Sequence, residues 1–169
     1  MGLDITAYQG IKLIDTCDVD DFEEKHDWET TCHVCPGYAD GTHYPEQLTG
    51  GNIVPDGVYE YEEKFGFRAA SYSWYNQWRE ILSMLFIGVI PACVWASPGN
   101  YKEHPFYYIV NFSDCEGVIA GAAAKKLAND FETFSTRAHQ HPDDWFIRIY
   151  DDFHKAFRMA ARNGFVEFH

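Results

Sequence analysis

A single α+β domain, with an antiparallel or mixed sheet covered by about three helices, is the fold that this 169-residue sequence predicts. Three observations carry the prediction. Apolar and polar side chains alternate with the period of two expected of strands in residues 3–8, 30–34 and 58–62. From Ser71 onward, apolar residues recur at the three-and-four spacing of amphipathic helices. The composition, 46% hydrophobic and 17% aromatic, is that of a chain that buries a core rather than a disordered one. No repeat and no low-complexity tract interrupts residues 1–169, so one domain is expected.

The elements follow in order. Residues 3–8 form the first strand, and residues 11–14 continue it. Residues 30–34 and 58–62 are the next two strands, the second placing Tyr59 and Tyr61 on one face and Glu60 and Glu62 on the other. Between them, residues 36–41, 50–52 and 55–57 carry Pro, Gly, Asn and Asp, the chemistry of turns. An acidic, loop-rich region thus runs over residues 15–57, and long loops often carry function. Ser71 or Ser73 caps the first helix, whose stripe is Trp74, Trp78, Ile81, Leu82 and Leu85. The aromatic residues 106–112 read as a central strand. Ser113 and Glu116 have capping-box spacing and open a second helix near Asp114, striped by Ile119, Ala123, Leu127, Phe131 and Phe134. Within it, Gly121 and the alanines at 122–124 permit close approach of another backbone. Pro142 marks the first turn of a third helix, with Trp145, Ile149, Phe153, Phe157 and Ala160 on one side and Asn163 and Gly164 as its stop. Residues 165–168 return as the last strand.

Charge is unevenly spread. Residues 1–84 hold 16 acids and 5 bases, and residues 85–169 hold 10 and 8, so −11 of the net −13 lies in the first half. Asp15, Asp18, Asp20, Asp21, Glu23, Glu24, Asp27 and Glu29 fall in a stretch whose sole base is Lys25. Such a field repels nucleic acid and anionic membrane surfaces, so neither is expected as a direct partner. The longest apolar run, residues 84–96, is broken by Gly88 and Pro91 and falls short of the roughly 20 residues of a membrane helix. The start at Met1 lacks the basic and apolar pattern of a secretory signal, and the five cysteines are an odd number, so a reducing cytoplasm is the expected location.

Three groups of residues are candidates for function. Asp18, Asp20, Asp21, Glu23 and Glu24, adjoined by Glu60 and Glu62, suit a partner protein with a basic surface; the alternative is a solvated loop that aids solubility. At the junction leading into the first helix, free backbone N–H groups near Ser71, with Arg68, Tyr72, Asn76 and Arg79, suit a nucleotide or another small anion. There the alternative is a capped helix whose Trp74 and Trp78 enter the core and whose Arg79 pairs with a local acid. Cys17, Cys32 and Cys35 with His26 or His43 offer enough ligands for a tetrahedral zinc ion, although a structural zinc site uses two short ligand pairs and only Cys32 and Cys35 make one. Redox use of that pair is not expected, because a turn rather than a helix follows Cys35. Asp114, Cys115 and Glu116 read as first-turn acids with a thiol that could act as a nucleophile at a helix start, but no His spacing supports catalysis. No catalytic residue is assigned.

Four blocks, residues 1–8 (MGLDITAY), 65–79 (FGFRAASYSWYNQWR), 111–117 (NFSDCEG) and 165–169 (FVEFH), together resemble an uncharacterised family of phage and prophage proteins. The family has no settled activity, so the resemblance transfers no catalytic residues. It implies an accessory protein acting inside a host cell, of which inhibition of a host defence or nucleic-acid enzyme by charge complementarity is the leading form. Trp74, where the family has Gly, and the pair Cys32 and Cys35 depart from its pattern. Both departures weigh against a shared pocket or zinc site.

Overall fold

The computed structural model describes residues 2–39 and 44–169, and it is an α+β domain built on two antiparallel sheets. The larger sheet has the order β5 (Glu63–Ser71), β1 (Gly2–Gln9), β7 (Phe165–Phe168), β6 (Gly117–Ala120). The smaller has the order β2 (Lys12–Thr16), β4 (Gly57–Glu60), β3 (Thr31–His33). Alternation sorts the larger sheet's side chains onto two buried faces. Leu3, Ile5, Ala7, Ile119, Val166 and Phe168 join one core, whereas Tyr8, Val118, Ala120 and Phe165 join another with Cys32, Val34 and Tyr59. The first face is covered by helices α3 (Tyr72–Phe86), α6 (Gly121–Ala138) and α7 (Asp144–Ala160), which contribute Tyr75, Trp78, Leu127, Phe131, Phe153 and Phe157. The second is covered by the smaller sheet. The shorter α-helices among the described residues are α1 (Val19–Lys25), α2 (Pro36–Ala39), α4 (Pro91–Ala96) and α5 (Tyr107–Val110).

The strand expected at residues 3–8 is present, but residues 11–14 do not continue it. Gly10 takes φ +66° and turns the chain, so β2 pairs with β4 in the other sheet. Residues 106–112 are not a central strand. Phe106 sits at φ +61° and residues 107–110 form one helical turn, α5, enclosed by aromatic rings. A fully buried apolar run carries no period by which to tell strand from helix. Nor does a helix open near Asp114. Ser113 Oγ does accept from the backbone N–H of Glu116 at 3.1 Å, yet the turn leads into β6, and Ile119 is a strand residue. The helix begins at Gly121, where φ is +55° and a Cβ would collide with the Thr49 carbonyl oxygen, so the small residues do permit a close backbone approach. The third helix is capped by Asp143, whose Oδ1 accepts from the Trp145 N–H at 2.9 Å, and Asn163 ends it in the left-handed region at φ +58°.

Asp130 ties α5 to α6. Its carboxylate accepts from the Phe106 N–H at 2.9 Å and from Lys126 at 2.8 Å, with only 6% of the residue exposed. Asp130→Ala leaves the buried Phe106 N–H without its acceptor and the half-buried Lys126 ammonium without its anionic partner, with only the His104 carbonyl at 2.9 Å remaining to it. Urea denaturation is expected to show a loss of about 3 kcal/mol. A loss below about 0.5 kcal/mol would mean that water replaces the carboxylate.

Candidate functional site

The junction between β5 and α3 begins as the sequence predicts. Ser71 caps α3, its Oγ accepting from the Trp74 N–H at 3.4 Å. The five expected ligand residues, however, are divided between two surfaces. Arg68 and Ser71 line a groove with Trp74, Asp143, Trp145 and Arg148. Asn76 and Arg79 lie on the other side of α3, beside Trp95 and Asp114. Tyr72 lines neither cavity and packs partly against the core.

Arg79 has a structural role. It is 3% exposed, donates to the Phe112 carbonyl at 2.6 Å and to Asn76 Oδ1, and lies over the rings of Tyr75 and Trp95. The local acid expected beside it is reached only through Asn76, which donates to Asp114 Oδ2 at 2.6 Å. Trp78 is fully buried, as the sequence predicts, but Trp74 is 55% exposed. Trp74 projects from the first turn of α3, and its ring meets that of Trp145 edge to face, at 5.3 Å between ring centroids.

The zinc ligands are brought together only in part. Asp15, Cys17 and His26 have donor atoms that all lie within 4.8 Å of one another. His26 Nε2 is 3.0 Å from Asp15 Oδ2, and this hydrogen bond, with that from the Thr16 N–H, holds the Asp15 carboxyl below its ordinary pKa. Desolvation, reinforced by the charge of Asp15, pushes the Cys17 thiol up. Cys32 and Cys35 stand outside this group. The Cys32 thiol is buried, points at the Tyr59 carbonyl at 3.7 Å, and is pushed far up by burial, which disfavours the thiolate that zinc needs. His43 lies outside the described residues. Asp15, Cys17 and His26 supply three donors where a tetrahedral zinc ion takes four, so water or another ligand would have to complete the set. One helical turn, α2, follows Cys35 where a turn was expected, and Cys32 and Cys35 are both free thiols. Cys115 is likewise free and exposed, but it precedes a strand rather than a helix, so the basis for an activated nucleophile is absent there.

The acidic residues occupy an outer layer. Asp18 caps α1, its Oδ1 accepting from the Asp21 N–H at 2.9 Å. Phe22 is the buried residue of this helix, and its ring lies against His26, His33 and Trp28, with Trp28 centred 4.2 Å away. One apolar anchor therefore docks α1 and leaves Asp18, Asp20, Asp21, Glu23 and Glu24 exposed. Of these, Asp21 pairs with Lys25 at 2.6 Å, both side chains 52% exposed. Glu60 is exposed on β4 opposite Lys12, and Glu62 is exposed in the turn before β5, against Gly10. Beside the acids, Leu13 and Ile14 of β2 are 46% and 39% exposed, and Val19 and Trp28 are 47% and 48% exposed. The sequence reading missed these apolar partners. Their signal was present at Leu13 and Ile14, two adjacent apolar residues in a strand where alternation can hide only one of them.

Glu167 is the other unusual carboxyl. It stands on β7 between Thr6 and Val118, on the face turned toward the smaller sheet, and is 8% exposed. Burial pushes its pKa up to about 7, against the opposing charge of Lys64. The sequence places it in an alternating strand but gives no sign that its face is buried. No helix of the described residues is long and apolar enough to cross a membrane. No protein-family model, no curated protein and no solved structure matches this chain.

Proposed function

We propose that this is an acidic accessory protein of the phage type that docks on a basic surface of a host protein, a defence or nucleic-acid enzyme, and blocks it. The observation that supports the reading is that charge and apolar exposure occur together. Among the described residues, eight large hydrophobic side chains are exposed, and four of them, Leu13, Ile14, Val19 and Trp28, belong to the stretch that carries the acids. A loop that serves only solubility has no need of exposed Leu, Ile and Trp. A docking face does, because apolar side chains form its dry centre and charges form its rim. The free edge of β2 supports the same reading. It pairs with β4 on one side and with no described strand on the other, so an extended partner segment can hydrogen-bond there. The resemblance of the four sequence blocks to prophage proteins supports a host protein as the partner.

The acids and the apolar residues have separable tasks. Exposed charges attract over roughly 8 Å at physiological salt and chiefly raise the rate of association. Apolar contacts hold the complex once formed, and their loss appears in dissociation. A variant carrying Asp18→Asn, Asp20→Asn, Asp21→Asn, Glu23→Gln and Glu24→Gln keeps its fold, since Asn caps a helix as well as Asp and solvated substitutions cost about 0.5 kcal/mol or less each. Its association with the partner is expected to slow about tenfold or more and to lose most of its salt dependence. Leu13→Ser with Trp28→Ser is expected to speed dissociation instead. Stopped-flow or surface-plasmon rates decide it; unchanged association by the neutralised variant contradicts the reading.

A further inference from the structure

A groove between the start of α3 and the start of α7 belongs to neither the acidic face nor the metal-ligand group. It is open to solvent, has a volume of about 590 Å³, and is lined by Arg68, Ser71, Trp74, Asp143, Trp145 and Arg148. That volume is within the roughly 300–1,000 Å³ of small-molecule sites. Its lining is unusual for this molecule. In a chain of net charge −13, two of the 13 basic side chains stand here with two of the five tryptophans. Trp74 leaves more than half its surface in water although the turn that follows it buries Trp78 completely. Its ring crosses Trp145 at 73°, so the two indoles form adjoining walls rather than a closed stack.

Among the lining residues two arginines stand against one acid. Asp143 caps α7, its Oδ1 accepting from the Trp145 N–H at 2.9 Å, and it keeps its negative charge. Asp4 lies 3.3 Å from Arg68, but the two side chains are 51% and 60% exposed, so water screens the pair and leaves the guanidinium able to exchange partners. Arg148 is exposed. Ser71 brings the first turn of α3 to the same wall, and the first N–H groups of a helix have no partner within it.

We propose that this groove binds a nucleoside monophosphate, with the base against Trp74 and Trp145 and the phosphate held by Arg68 and Arg148. The two walls demand a flat ring and the two guanidinium groups demand a compact anion, and a mononucleotide joins both in one small molecule. A longer nucleic-acid strand is disfavoured. It would carry its phosphates beyond the two arginines onto a surface dominated by acids, without the clustered Lys and Arg that strand binding requires.

Tryptophan fluorescence and isothermal calorimetry test the proposal with AMP, GMP, CMP and UMP, and with adenosine and inorganic phosphate as separate arms. At least one nucleotide is expected to quench fluorescence saturably and to raise the melting temperature. The same nucleotide should bind about tenfold or more tightly than adenosine or phosphate alone. Arg68→Ala with Arg148→Ala should weaken it about tenfold or more, and Trp74→Ala should weaken it while Trp74→Phe restores binding in part. Because these side chains are exposed, the variants are expected to fold, and unliganded melting curves check this. No saturable binding of any of the four nucleotides at millimolar concentration overturns the proposal, as does undiminished binding by the double arginine variant. Binding to phosphate alone as tight as to the nucleotide would show an anion site without a base pocket and would also overturn it. None of these outcomes bears on docking through the acidic face, which uses other residues.

Discussion

Trp78→Ala is expected to lower the free energy of unfolding by about 3–5 kcal/mol, a large share of the stability of a domain of this size. Trp78 is fully buried where α3 meets α7: its ring centroid is 5.0 Å from that of Phe153 and 5.9 Å from that of Tyr75, and its Nε1 donates to the Phe146 carbonyl at 3.2 Å. Truncation removes the burial of an indole, leaves a cavity that the surrounding rings cannot fill without leaving their rotamers, and removes the indole's hydrogen bond to the Phe146 carbonyl. Trp74→Ala, four residues earlier on the same helix, should cost less than about 1 kcal/mol because that ring is largely in water. Urea denaturation of the two variants measures the difference. Equal losses would mean that the stripe on α3 is not disposed as described.

Glu167→Gln is expected to make stability less dependent on pH, by as much as about 3 kcal/mol between pH 4 and pH 8. The carboxyl is buried between the sheets and its pKa is raised to about 7 from an ordinary value of 4.5, with desolvation the largest cause and Lys64 opposing it. The folded state therefore holds the proton more tightly than the unfolded one. Its stabilising contribution is complete below about pH 4.5 and is lost as pH rises through about 7. A glutamine side chain at this position cannot ionise, so the variant should gain on the parent protein as pH rises through this window. Denaturation at several pH values gives the difference curve, in which other titrating groups cancel. A flat difference would place Glu167 in contact with water.

The parts of the fold visible in the sequence were those with a period and an end signal. Residues 3–8 form a strand, the stripe of α7 is closed by Asn163 and Gly164, and Ser71 caps α3, as read, although Trp74 of the α3 stripe stands in solvent. Where burial is complete, the pattern loses its meaning. Residues 107–110 are apolar without alternation, and only tertiary packing decides that they make a helical turn after Phe106, whose ring lies against Phe131 and Tyr150. Residues 113–116 misled for a different reason: the hydroxyl-to-N–H bond that the spacing predicts does form, but such a bond closes a turn whether or not a helix follows. The second sheet was invisible because register between strands distant in sequence is not a local property.

Site residues followed the same division. Exposure of the acids on α1 could be expected from their solvation alone. The separation of Arg68 from Arg79 could not, since an 11-residue spacing along a strand and a helix fixes neither the face of β5 nor which turn of α3 is covered by α4 and α5. Arg148, which shares the groove with Arg68, is 80 residues away in sequence and carries no signal of the association.

Zero-length carbodiimide coupling, which joins carboxylates to lysines in direct contact, tests the proposed docking face with the least inference when it is run in a lysate of the host that the proposal implies. The recovered partner is expected to be coupled through lysines on its surface to Asp18, Asp20, Asp21, Glu23 or Glu24, with yield falling as salt rises, and mass spectrometry reads the joined peptides. The variant with the five acids neutralised and Leu13 and Trp28 replaced by serine should recover none of that partner while retaining its own melting transition. Recovery of the same partner by that variant, or coupling confined to acids outside the α1 layer such as Asp151 and Glu132, would contradict docking through this face.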